Sequence, residues 1–132
     1  MTQVKLWERT LSRASLEAEE PCIRQGPDVL HFKRGGLYSG VDAPIVLCDE
    51  SPFIQRLILH SPTGFEWGYT GSGPADLALN ILYLYVNYPR ALRLHQRFKD
   101  DFVARIPKEG GLILREQVMA WLRAIEIKES SK

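Results

Sequence analysis

The sequence predicts an α+β domain, a small and mostly antiparallel sheet packed against about three to four helices, with a central buried helix over residues 74–88. Three observations predict it. Short β-branched or aromatic runs are bounded by Gly and Pro turns. A nearly continuous apolar segment follows a glycine-rich turn. Two later segments carry apolar residues at three- and four-residue steps.

Residues 4–19 place Trp7, Leu11, Ala14 and Ala18 on one helical stripe, so a first helix is expected there, although VKLWERT alone could equally open a strand. Glu17, Glu19 and Glu20 then run into Pro21, and Gly26-Pro27-Asp28 turns the chain into a strand at Val29-Leu30-His31-Phe32, closed by Gly35-Gly36. A second strand is expected at Ala43 to Cys48, ended by Asp49-Glu50-Ser51-Pro52. Gln55 to His60 is a third candidate. Phe65, Trp67 and Tyr69 alternate with Glu66, Gly68 and Thr70, which predicts a fourth strand with one aromatic face.

Gly71-Ser72-Gly73 supplies the next turn, and Pro74 suits the start of a helix. From Ala75 to Val86 only Asp76 and Asn80 interrupt the apolar run, so this helix should be covered on most sides. It is too short to span a membrane. Pro89 restarts the chain in a helix from Arg90 to about Ile106, with Leu94, Phe98 and Phe102 on one face. Leu112-Ile113-Leu114 reads as a short strand or an entry segment, and Val118, Trp121, Leu122 and Ile125 trace a closing helix.

The chain has 132 residues, the size of one domain with one core. Its 17 Lys and Arg against 16 Asp and Glu give a net charge of +1, so no overall field gathers nucleic acid or anionic lipid, and neither partner is expected. Cys22 and Cys48 lie outside any CxxC pair and read as free thiols. The N-terminus lacks the apolar core of a signal peptide, so cytoplasmic location is expected.

The turn Gly68 to Pro74 is the candidate ligand site, because a glycine-rich turn entering a helix can present backbone N–H groups to an anion. Glu66, Trp67, Tyr69, Gly71, Ser72 and Gly73 are its candidate binding residues, the aromatic rings being available to stack on a nucleotide base. The glycine order is GxxGxG, not GxGxxG, and no GK[ST] follows. Asp76, placed in the first turn, could satisfy the same N–H groups itself, so a purely structural cap is the competing reading. Glu66 is expected to face away from the aromatic row as an exposed carboxylate.

Ser72 fails the GxSxG pattern, and His31, His60 and His95 show neither HxxxH nor HExxH spacing. No catalytic residue, metal ligand or cofactor is therefore predicted. His60 reads as a hydrogen-bonding residue at a strand end. Arg90, Arg93 and Arg97 fall on one helix face as candidate partner-binding residues, with Arg97 and Asp101 placed for an i,i+4 pair.

The stretch HSPTGFEWGYTGSGPADLALNIL, with ALRLHQRFK downstream and the helix of Val118, Trp121 and Leu122, resembles a small family of unknown function from phages and bacteria that carries a FEWGYxGSGPAxLA signature. The resemblance covers about residues 58–122 and leaves residues 1–57 as a variable N-terminal part of the same domain. It implies a compact α+β domain in a viral or mobile-element setting and supplies no catalytic residues. By analogy with small accessory proteins of that kind, the expected function is a non-enzymatic protein-binding module that docks onto host machinery, such as a transcription or defence complex, and inhibits or modulates it. The alternative is a small-molecule or nucleotide binder using the glycine-rich turn 64–73.

Overall fold

The computed structural model describes residues 25–35, 44–51, 58–60 and 64–130. Among them the order is β1 (Val29–Arg34), β2 (Pro44–Cys48), α1 (Ser72–Leu82), α2 (Tyr88–Asp101), a 3₁₀ turn (Val103–Arg105), β3 (Gly110–Leu114) and α3 (Arg115–Ser130). This is an α+β fold, with a three-stranded antiparallel sheet in the order β2-β1-β3 packed against helices. The helix expected over 4–19, Cys22 and residues 55–57 of the third strand candidate lie outside the described residues. Residues 58–60 are not strand.

Alternation sorts the sheet into two faces. Leu30 and Phe32 of β1 point inward, and their register partners Ile113 and Val46 are buried beside them. His31 points outward between Leu47 and Leu112. After β2, Asp49 and Glu50 both take positive φ, and the Asp49 carboxylate accepts from the N–H groups of Asp28 and Val29 (both 3.0 Å), which ties the end of β2 to the start of β1. Cys48 is half-buried and free, and burial pushes its thiol up to about 11, so it stays an unreactive thiol near neutrality.

At the start of β3, Gly110 has φ +127, and a Cβ there would lie 2.2 Å from the Phe32 carbonyl oxygen. Only glycine lets the two strands approach. The Arg115 N–H reaches the Asp28 carbonyl (2.9 Å), so the N–H groups of Ile113 and Gly111 also face β1, and those of Gly110, Leu112 and Leu114 face away. Two of these three outward donors are already used within the chain: Gly110 donates to the Pro107 carbonyl and Leu114 to Gln117 Oε1, each at 2.8 Å. The outer edge of β3 is thereby blunted against strand addition.

α1 is the centre of the fold, with every residue from Gly73 to Leu82 buried. It is shorter than the span 74–88. It ends at Leu82 in a tight turn, where Leu84 and Tyr85 donate to the carbonyls of Ile81 and Leu82. Asn87 then caps α2, its side chain accepting from the Arg90 N–H (3.1 Å), with Pro89 in the first turn, where a missing N–H costs nothing. The apolar run through Tyr83, Tyr85 and Val86 hid this break, because the turn itself is buried. Pro74 falls at the third helical position, still within the first turn. α2 stops at Asp101 and a 3₁₀ turn replaces its last residues up to Ile106.

Ala91, Leu94 and Phe98 bury the inner face of α2, and Phe98, Phe102 and Trp121 form one aromatic cluster with ring centroids 4.7 to 6.1 Å apart. Val118, Leu122 and Ile125 complete the core from α3. No described helix is long and apolar enough to cross a membrane.

Candidate functional site

The expected aromatic strand at 65–70 is instead an irregular segment. Gly64 and Gly68 carry φ +132 and +89, which break the extended course, and the Gly68 N–H donates to Val103 O in the 3₁₀ turn (3.0 Å) rather than to a strand. The three rings therefore do not share a face. Trp67 is buried, Phe65 is half-buried and Tyr69 is exposed. The Trp67 indole N–H donates to the carbonyls of Pro107 and Lys108 (3.1 and 3.2 Å), and its ring meets Phe32 edge-on, with centroids 5.5 Å apart.

Glu66 is not a free surface acid. Arg34 at the end of β1 donates to both of its oxygens (3.0 and 2.7 Å), to the Lys108 carbonyl through Nε, and lies 4.5 Å over the Trp67 ring. These hydrogen bonds from Arg34 hold the Glu66 carboxyl below the usual carboxylate range, with burial opposing and the Trp67 N–H assisting. Beneath Glu66 sits Gly73, where a Cβ would lie 3.1 Å from Glu66 Cβ and 3.3 Å from Glu66 N. Three of the six candidate ligand residues, Glu66, Trp67 and Gly73, thus form a clasp joining the turn to β1 and to the approach to β3. Gly71 caps α1 through its backbone, Ser72 is exposed, and the Tyr69 ring lies over Gly71.

The buried carboxylate of Asp76 accepts from the N–H groups of Leu59 (3.2 Å) and His60 (2.8 Å), so it binds a second segment to α1. His60 also meets His95 of α2, Nε2 to Nε2, at 2.9 Å. The rings are tilted by 21° with centroids 5.2 Å apart, the spacing of two imidazoles meeting nitrogen to nitrogen in nearly one plane, so the contact is an edge-to-edge hydrogen bond. His60 is thus no strand end. Burial lowers the affinity of His95 for a proton, the Leu92 carbonyl raises it, and His60 lowers it again. Sequence spacing gave no sign of this pair, since the two histidines come from distant segments.

Residues 58–60 are fastened to α1 through Asp76, the Tyr69 ring lies over Gly71 at the helix N-cap, and Ile58, Leu59 and Tyr69 are 54%, 45% and 52% exposed. Large apolar side chains that water still reaches are collected at this end of the helix. The other exposed large ones among the described residues, Leu112 and Ile127, belong to β3 and α3.

The arginine face is tied to α3. Arg90 pairs with Glu126 (3.1 Å) and Arg93 with Glu129 (3.7 Å). Arg97 is exposed, and its expected partner Asp101 instead accepts from the Trp121 indole N–H (2.7 Å). Clefts of about 540 Å³ (between Val29, Arg115, Met119 and Arg123) and about 170 Å³ (beside Phe102, Pro107 and Leu112) include no residue of the glycine-rich turn. Among the described residues no group of three or more His, Cys, Asp or Glu is placed to hold a metal ion.

No curated protein and no solved structure matches the chain. A family model does, and it begins earlier than the boundary expected at residue 58, taking in β2 as well as the turn and the helices. That model, DUF6166, a family of unknown function, matches residues 38–124, well over half of the sequence, and the chain belongs to this family.

Proposed function

We propose that this protein is a non-enzymatic protein-binding module whose docking surface is the N-terminal end of α1, where Ile58, Leu59 and Tyr69 stand exposed. The observation that carries the reading is the exposure of these three side chains on two segments that meet α1 at its N-terminal end, one bonded to Asp76 and the other running into the helix. Exposed apolar residues held rigidly at one place are what a partner protein desolvates, and a tyrosine adds area at low entropic cost with a hydroxyl for orientation. Arg97, exposed on α2, is the member of the arginine trio best able to add charge to such a surface. By analogy with small accessory proteins of phages and mobile elements, the partner we propose is a host protein, with inhibition or modulation as the outcome.

The test is capture by immobilised wild-type protein, Leu59→Asp and Ile127→Asp from the lysate of a bacterial host. A stoichiometric protein retained by wild type and Ile127→Asp but lost with Leu59→Asp supports the surface, and equal retention by all three overturns it.

One observation favours a second reading: the half-exposed Tyr69 ring over Gly71 is a stacking platform beside a helix N-terminus. Calorimetric titration with ATP and GTP tests it. Binding abolished by Tyr69→Ala would move the function to a nucleotide.

A further inference from the structure

The His60–His95 contact has a fixed proton count. The Leu92 carbonyl can only accept, and it lies 2.6 Å from His95 Nδ1, so that nitrogen carries a hydrogen. In the neutral pair His95 Nε2 is therefore an acceptor, and His60 Nε2–H donates to it across 2.9 Å. One added proton keeps the bond. It either takes His60 Nδ1 and leaves Nε2–H as the donor, or takes His95 Nε2, in which case the His60 hydrogen moves from Nε2 to Nδ1, the direction reverses and the one lone pair of His60 Nε2 accepts from His95. A second added proton puts a hydrogen on both facing nitrogens and a positive charge on both rings. No hydrogen bond survives that state, and like charges at this distance repel.

We propose that the histidine pair is a proton-sensitive clasp: it fixes the His60 segment against α2 while it carries at most one added proton, and releases that segment from α2 when it carries two. The proposal deepens the reading of Ile58 and Leu59 as part of the docking surface and rests on it only for its consequence, that acid withdraws the surface. Among the described residues, the charged groups facing the pair are Asp76 from α1, which favours a proton on His95, and Lys99 from α2, which opposes it and donates to Gln96 Oε1 (2.9 Å). Burial, the largest influence on His95, makes that ring take a proton less readily than an ordinary imidazole. The Asp76 bonds to the Leu59 and His60 N–H groups remain as a second tether, so release alters the local geometry and leaves the core intact.

The experiment is an NMR titration of the full chain alone from pH 8 to pH 4.5, following the ring Cε1–H signals of His60 and His95 and the amides of Leu59 and His60. The expected result is coupled titration of the two rings in two separate steps, with both amides moving in the lower step. His60→Gln can donate the same bond to His95 and takes no proton, so the Leu59 amide should stay still in that variant. Two independent, single-step titrations with stationary wild-type amides would overturn the clasp. Partner capture at pH 5 and pH 7.5 separates the two readings. Two-step coupling with capture unchanged by pH removes Leu59 from the docking surface and leaves the clasp standing.

Discussion

The glycine-rich turn and the segment 58–60 occupy the same end of α1, yet they are held there by opposite means. The turn is built inward. Trp67 is buried edge-on against Phe32, Arg34 grips Glu66 in two hydrogen bonds, and Gly73 packs close beneath it, where a Cβ would lie 3.1 Å from Glu66 Cβ. Residues 58–60 are bound from outside, through two backbone N–H groups on Asp76 and one ring nitrogen on His95, while their apolar side chains face water. The comparison teaches that a conspicuous glycine motif can be spent on packing, while the accessible surface comes from a segment with no motif at all.

The comparison can be broken most directly at Trp67. Trp67→Ala removes a fully buried ring and two indole hydrogen bonds, and a loss of about 3–5 kcal/mol is expected in urea denaturation. A loss under about 1 kcal/mol would mean that the clasp does not hold the turn.

Arg34→Met takes away the two arginine donors of the Glu66 carboxylate, leaving it the Trp67 N–H, and should cost about 1.5–3 kcal/mol at neutral pH. The lowered affinity of Glu66 for protons adds a pH signature. Its contribution to stability is complete above the ordinary value of 4.5 and is lost as pH falls through the lower folded value. The acid branch of the stability curve should therefore be flatter in Arg34→Met than in wild type.

His95 gives a smaller effect of the same direction at higher pH. Its folded state binds a proton less readily than the unfolded chain, so its contribution is full above 6.5 and declines as pH falls below that value. Denaturation at pH 7.5 and pH 5.5 should show this decline in wild type, and a weaker dependence in His95→Gln.

The smallest expected change in stability is that of Leu59→Asp, within about 0.5 kcal/mol, because the side chain is already solvated. Its effect belongs to partner capture. Unfolding at the level of Trp67→Ala would show that Leu59 is core and not surface.

Much of the fold was legible along the chain. β1, β2 and β3 appear where short apolar runs meet Gly and Pro, and the four-residue steps of Leu94 and Phe98 mark the inner side of α2. The boundaries were less so. α1 ends six residues before its predicted limit because Tyr83, Tyr85 and Val86 are buried in a turn, where apolarity carries no period. The alternation of Phe65, Trp67 and Tyr69 imitated a strand, although Gly64 and Gly68 with positive φ divide that segment into irregular backbone. Of the candidate site, the turn was visible and its use was not: Arg34 lies 32 residues from Glu66, and His95 lies 35 from His60.

By itself the sequence determined the class of fold, the central helix and the absence of a strong net charge, because these follow from local patterning and composition. Tertiary structure alone decided that Glu66 serves Arg34, that Asp76 serves the backbone of Leu59 and His60, and that two distant histidines meet. Each of these depends on which segments are brought within about 3 Å of one another, and hydrogen bonds of that length are set by the packing of elements far apart in the chain.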